Sequence, residues 1–342
     1  MSGAFGWGGR DRRNDTSTTS GGGGGFSRAQ SAYKSPPRNP NAAPAPSSGA
    51  QSYVDADYQS YAIPPTPNID KSPKRNFKST AKNVLIVATD VTGSLGGWRK
   101  DMFKFLPLLY KEAQSYLGDD LEIMFIAFGD CKYSDPIEVT TFGRGQTLDT
   151  HLTALYKHAS GGGDLEESPE MVAYFIHERV DTSTAKNVYT FFITDEKCAT
   201  TISETQARDI LDCTVNPELA DSKTVFRSLF RRMELFLVFA ETHSYGQRET
   251  VNFQDFWKDM LGAERVCPMP RANLVVETML GVVAKTTGQL AVYTQNYQTR
   301  RGNTTYGAVN KSHVDRSIAL VPGAGPSTPN LAAKSRLLTD DD

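Results

Sequence analysis

Asp90-Val91-Thr92-Gly93-Ser94 places a carboxylate and two hydroxyls at alternate positions, just after the apolar run Val84-Leu85-Ile86-Val87-Ala88. In an extended or turning backbone alternate side chains point the same way, so the three oxygens can converge. Hard oxygen donors of this kind suit Mg²⁺ or Mn²⁺ better than zinc. Two further stretches extend the same chemistry. Gly161-Gly162-Gly163-Asp164 is a loop whose glycines let the backbone approach a ligand, and Ser168-Pro169-Glu170 opens a helix, so carboxylates gather near an N-terminus. Asp195 closes the apolar run from Asn187 to Thr194 and is expected either as a ligand or as a helix cap for the residues from Glu196 onward. Acids drawn together without a cation raise at least one pKa, and a divalent ion removes that conflict.

The elements that must position these groups follow from periodicity. Val84–Ala88, Leu121–Phe128, Asn187–Thr194 and Glu234–Ala240 predict buried strands, Pro136–Phe142 an alternating edge strand, and Arg265–Cys267 a short edge strand. Helical spacing predicts one helix carrying Trp98 through Tyr116 and others over Thr147–His158, from Pro169, after Ser203, around Phe226–Met233, over Phe253–Leu261 and over Val275–Lys285. Strands alternating with helices imply an α/β architecture, a doubly wound and mostly parallel sheet flanked by helices. The carboxyl ends of such strands form the edge where ligands bind. The helix after Gly96-Gly97 turns its positive end toward Ser94.

The Asp-x-Thr-x-Ser turn resembles the metal-ion-dependent adhesion site (MIDAS) of von Willebrand factor type A domains, usually Asp-x-Ser-x-Ser, with Thr92 adding only a methyl. The loop at 161–170 is similar to the Gly-Gly-Gly-Asp-x-Pro-Glu loop of one branch of that family, here lengthened by Leu165 to Ser168. The Gly-Asp match puts Asp164 at the metal and the Pro-Glu match puts Glu170 there; both are expected at or near it, and Glu166 and Glu167 are expected to be solvated. The resemblance covers residues 83–298. It implies a Rossmann-like fold, a metal set of Asp90, Thr92, Ser94, Asp164, Glu170 and Asp195, and an open position for an Asp or Glu of a protein partner. It also suggests an AAA-type ATPase system as one such partner, and a copy of the same chain is another.

The formal net charge of -2 on 342 residues gives no general case for nucleic-acid or membrane-surface binding. No apolar run approaches the ~20 residues that span a bilayer, no secretory leader is visible, and four well-separated cysteines read as reduced thiols, so the expected compartment is cytoplasmic. The histidines show no ligand spacing, and the expectation is a binding module, not an enzyme. Residues 1–82, rich in Gly, Ser and Pro, predict a disordered arm, with Tyr53, Tyr58 and Tyr61 as a short docking segment, and 299–342 predict an irregular polar tail. These arms motivate the alternative of a structural protein tethered in a larger particle. A third alternative, RNA binding through the basic N-terminal arm, has a weaker signal because Arg10, Arg12 and Arg13 form no Arg-Gly-Gly repeat.

Overall fold

A computed structural model describes residues 69–70, 73–155, 165–242, 244, 246–302 and 304–324. Asp164, the tyrosines at 53, 58 and 61 and the end of the tail lie outside the described residues. Two short strands come first, β1 (Ile69–Asp70) and β2 (Phe77–Lys78), followed by β3 (Asn83–Asp90), which is buried along its whole length. Then come α1 (Trp98–Phe105), α2 (Pro107–Leu117), β4 (Leu121–Phe128), β5 (Glu138–Thr140) and α3 (Thr147–Ala154). Next are β6 (Glu166–Glu167), α4 (Pro169–Arg179), β7 (Val180–Asp181), β8 (Asn187–Thr194), β9 (Lys197–Cys198) and α5 (Glu204–Gln206). The chain closes with α6 (Ser222–Phe230), β10 (Glu234–Ala240), α7 (Gln247–Leu261), β11 (Val266–Met269), α8 (Val275–Thr286), α9 (Leu290–Arg301) and α10 (Thr305–Ser317).

The main sheet has the order β1-β5-β4-β3-β8-β10-β11. β4, β3, β8, β10 and β11 are parallel, while β5 and β1 are antiparallel additions on one side. From β3 the chain builds outward through β4 and β5, then crosses back and builds the other way through β8, β10 and β11. That reversal makes the gap between β3 and β8 the switch point at which a doubly wound sheet opens a crevice. Alternation along β3 sends Leu85 and Val87 into one core and Val84, Ile86 and Ala88 into the other. The first core is closed by α1, α2, α3, α8, α9 and α10, the second by α4, α6 and α7.

Several expectations are corrected. The single helix expected from Trp98 to Tyr116 is two, because Pro107 has no N–H to continue the ladder and starts α2 as its first residue. β5 is no edge strand: β1 pairs along its outer side, and all three of its residues are buried. The arm expected to be disordered to residue 82 has structure before that point, since β2 pairs in parallel with β7 and Phe77 stacks edge-on against Phe175 at 5.6 Å. The tail expected to be irregular from 299 contains the end of α9 and all of α10. Val314 of the tail is buried against α8 with Tyr293 and Tyr297 of α9, and Arg300 bonds to both Glu112 and Glu277. Among the described residues no helix is long and apolar enough to cross a membrane.

Candidate metal site

Asp90 is the last residue of β3 and Asp195 follows the last residue of β8, so neighbouring parallel strands deliver both acids to one edge of the sheet. Asp90 folds its own turn: Oδ1 accepts from the Thr92 backbone N–H at 2.8 Å and from the Thr92 hydroxyl at 2.7 Å. Thr194 closes the other side, its hydroxyl donating to Asp90 Oδ2 at 2.9 Å. Asp195 is held in the same fashion, Oδ1 accepting from Ser94 at 2.9 Å and Oδ2 from Thr242 at 2.7 Å. Each carboxylate oxygen therefore faces a hydroxyl. Ser244, further along the segment that carries Thr242, donates to the Ser94 carbonyl and ties that segment over the turn.

Thr92 Oγ1 and Ser94 Oγ lie 3.1 Å apart. Each hydroxyl has one proton, and both protons are directed at carboxylates, so this oxygen pair shares none when both acids are ionised. Either a proton on one acid or a cation among the lone pairs resolves the contact. The electrostatics carry the same demand: burial and then the Asp195 charge push the Asp90 carboxyl up to about 8, against the hydrogen bonds of Thr92 and Thr194. Burial also raises Asp195, offset by Thr242 and Ser94. Asp90, Thr92, Thr194 and Asp195 are almost wholly buried, and half-buried Ser94 is the way in from solvent.

Glu167, expected to be solvated, is buried beside this group. The β6 strand pairs in parallel with β9, which begins two residues after Asp195, and alternation along β6 leaves Glu166 half-exposed and Glu167 inside. Burial, then the charges of Asp90, Glu196 and Asp130, push Glu167 up to about 11, with the Thr92 hydroxyl opposing. Its Oε2 has no hydrogen-bond partner among the described residues.

Glu170, expected at the metal, makes no hydrogen bond to Asp90 or Asp195 among the described residues, and its buried Oε2 has no partner there. It stands on the first turn of α4, and the largest charges acting on it are Asp130 and Glu166. Its own charge acts on the buried thiols of Cys131 and Cys198. Leu165 takes a left-handed φ of 63°, the chain then pairs as β6, and Ser168 accepts from the Cys131 backbone N–H at 2.8 Å, which fixes the start of α4.

Of the expected set the structure thus gathers Asp90, Thr92, Ser94 and Asp195. Thr194, Thr242 and Glu167 were missed. Thr194 and Thr242 had a usable signal, a hydroxyl at or just past the end of a parallel strand. Among the described residues no three His, Cys, Asp or Glu side chains group closely enough to hold a metal ion. The donor set for any cation here is two carboxylates and the hydroxyls between them, which fits a hard divalent ion and is wrong for a soft one.

No family model and no curated protein matches this sequence. Among solved structures, the chain is similar to the pilus adhesin SpaC from Lactobacillus rhamnosus GG in its open conformation, at 14% identity over 68% of this chain and 34% of the adhesin, with a TM-score of 0.41. It is similar to proximal thread matrix protein 1 from the mussel byssus at 10% identity over 65% of this chain and 49% of that one, TM-score 0.40. A von Willebrand factor type A protein from Catenulispora acidiphila aligns at 15% identity over 65% of this chain and 49% of its own, TM-score 0.39. The chain spans between a third and a half of these structures.

Proposed function

We propose that this chain is a protein-interaction module whose binding depends on a divalent cation, Mg²⁺ or Mn²⁺, at the strand edge between β3 and β8. The observation that carries this reading is the pairing of Asp90 with Asp195 through Thr92 and Ser94, two buried acids whose oxygens all face hydroxyls. Asp90, Asp195, Thr92 and Ser94 would hold the cation, with the Glu167 carboxyl buried beside them. When bound, the cation supplies a coordination position for a carboxylate of the partner. Thr194 and Thr242 orient the acids by donating to their outer oxygens, and Ser94 forms the solvent-facing lip. The hydroxyls of Thr92, Ser94, Thr194 and Thr242 saturate the carboxylate oxygens, and the role proposed is recognition of an acidic side chain. The resemblance of the Asp-x-Thr-x-Ser turn to a MIDAS supports the same assignment.

Isothermal titration of the full chain with MgCl₂ tests the reading. Saturable binding that is lost in Asp90→Ala is the expected result. No heat in the wild-type chain, or the same heat in the variant, would remove the cation from the proposal.

A further inference from the structure

A cleft of about 420 Å³ opens between α1 and the turn that follows β11, lined by Trp98, Asp101, Lys104, Phe105, Arg271 and Tyr306 among others. β11 is parallel to β10, so its following turn lies at the same edge of the sheet as Asp90 and Asp195. The lining is more polar than apolar, with Trp98, Phe105 and Tyr306 as its rings; Tyr306 is 59% exposed, held over the turn by an Asn273 amide that donates to its hydroxyl at 3.2 Å. The Arg271 guanidinium is 5.9 Å from the Tyr306 ring centroid and donates to the neutral Asn310 at 3.3 Å. Lys104 and Arg271 are both exposed, and among the described residues neither forms an ion pair, while Asp101 is the only acid in the lining. A mainly polar cleft with two cations outside ion pairs and three rings suits an acidic segment that also carries a few apolar side chains.

We propose that the segment Leu337-Leu338-Thr339-Asp340-Asp341-Asp342 of this same chain occupies that cleft, its leucines on the rings and its aspartates against Lys104 and Arg271. Charge selects this end of the chain, since the basic residues of the N-terminal arm outnumber its acids. Reach permits it. Ala324 N–H bonds the Lys285 carbonyl at 3.1 Å, which places the end of the described chain at the C-terminal end of α8, and the cleft residues Ala272 and Asn273 immediately precede the start of that helix. The helix between is ~18 Å long at 1.5 Å per residue, and the residues from 325 to 336 can cover up to ~40 Å when extended. The tail therefore returns along α8 without strain. This inference does not rest on the cation site, because the cleft holds its ligand with lysine, arginine and aromatic side chains.

The test uses full-length chains in EDTA and a fluorescein-labelled synthetic peptide of residues 331–342, followed by anisotropy. In a full-length variant carrying D340N, D341N and D342N the peptide should bind about tenfold more tightly than to wild type, because a tethered tail at roughly millimolar effective concentration no longer competes. R271E, and separately K104E, in that background should each weaken the peptide about tenfold. Lys104 should acetylate several-fold more slowly in wild type than in the tail variant, read by mass spectrometry. Equal peptide affinity and equal Lys104 labelling in the two chains would overturn the proposal and leave the cleft to another molecule. A wild-type-to-variant difference that grows with protein concentration would assign the contact to a second copy and overturn it as stated. Peptide binding that needs Mg²⁺, or that ignores R271E and K104E, would overturn it as well.

Discussion

Ser94 Oγ donates to Asp195 Oδ1 at 2.9 Å across 101 residues of sequence, joining the turn after β3 to the end of β8. It fixes the separation of the two acids through Thr92 and gives the group its solvent-facing side. Ser94→Ala should keep the fold, since the residue is half-buried in a turn, while Mg²⁺ affinity falls about tenfold, roughly 1.4 kcal/mol. Titration calorimetry together with a circular dichroism melt separates the two effects. Unchanged affinity would take Ser94 out of the site.

The Asp90 carboxyl gives the cation-free protein a pH dependence of definite sign. Its pKa rises from 3.8 to about 8 on folding, so the folded state holds a proton that the unfolded chain releases. The stability this contributes is fully present below 3.8 and is lost as pH rises to about 8. Melting temperatures in EDTA should therefore decline over that window, and Asp90→Asn should flatten the decline. Mg²⁺ affinity should climb with pH up to about 8 and then level, since the ion must displace that proton.

Glu167 and Glu170 separate the structural placement from the one implied by motif spacing. Glu167 is a buried acid on which the Asp90 charge acts, and a cation should draw off its proton, so Glu167→Gln should weaken Mg²⁺ several-fold, whereas Glu170→Gln, whose charge acts on Cys131 and Cys198, should stay within about twofold of wild type. The reverse ranking in the same titration would restore Glu170 to the site.

Trp257 supports the edge from behind. Its indole N–H donates to the Glu196 carbonyl at 2.7 Å while its ring packs edge-on against Phe226 at 5.7 Å. Trp257→Phe keeps most of the apolar contact and removes this donor from a buried carbonyl, a cost of about 1–3 kcal/mol. A melt should show this as a loss of several degrees, about 2–4 °C per kcal/mol in a domain of this size. No change would show that water satisfies the carbonyl.

The sequence alone determined the strands, because runs such as Val84–Ala88 and Leu235–Ala240 are too apolar to be anything but buried, and it determined that Asp90 and Asp195 end two of them. It also gave the turn chemistry of Thr92 and Ser94, since alternation of side chains is a local rule. Short pairings were beyond it. β6 against β9, β2 against β7 and β1 against β5 are two-residue ladders with no periodicity to read, yet the first decides that Glu167 and not Glu170 stands behind Thr92. The C-terminal helices were hidden for another reason. Tyr293, Tyr297 and Arg300 look polar in a composition, and only the surface of α8, with Glu277 buried on it, makes burying them favourable. Local patterning fixed what each strand end carries; which of those ends meet was fixed by tertiary packing, because the contacts that unite them join residues about a hundred positions apart.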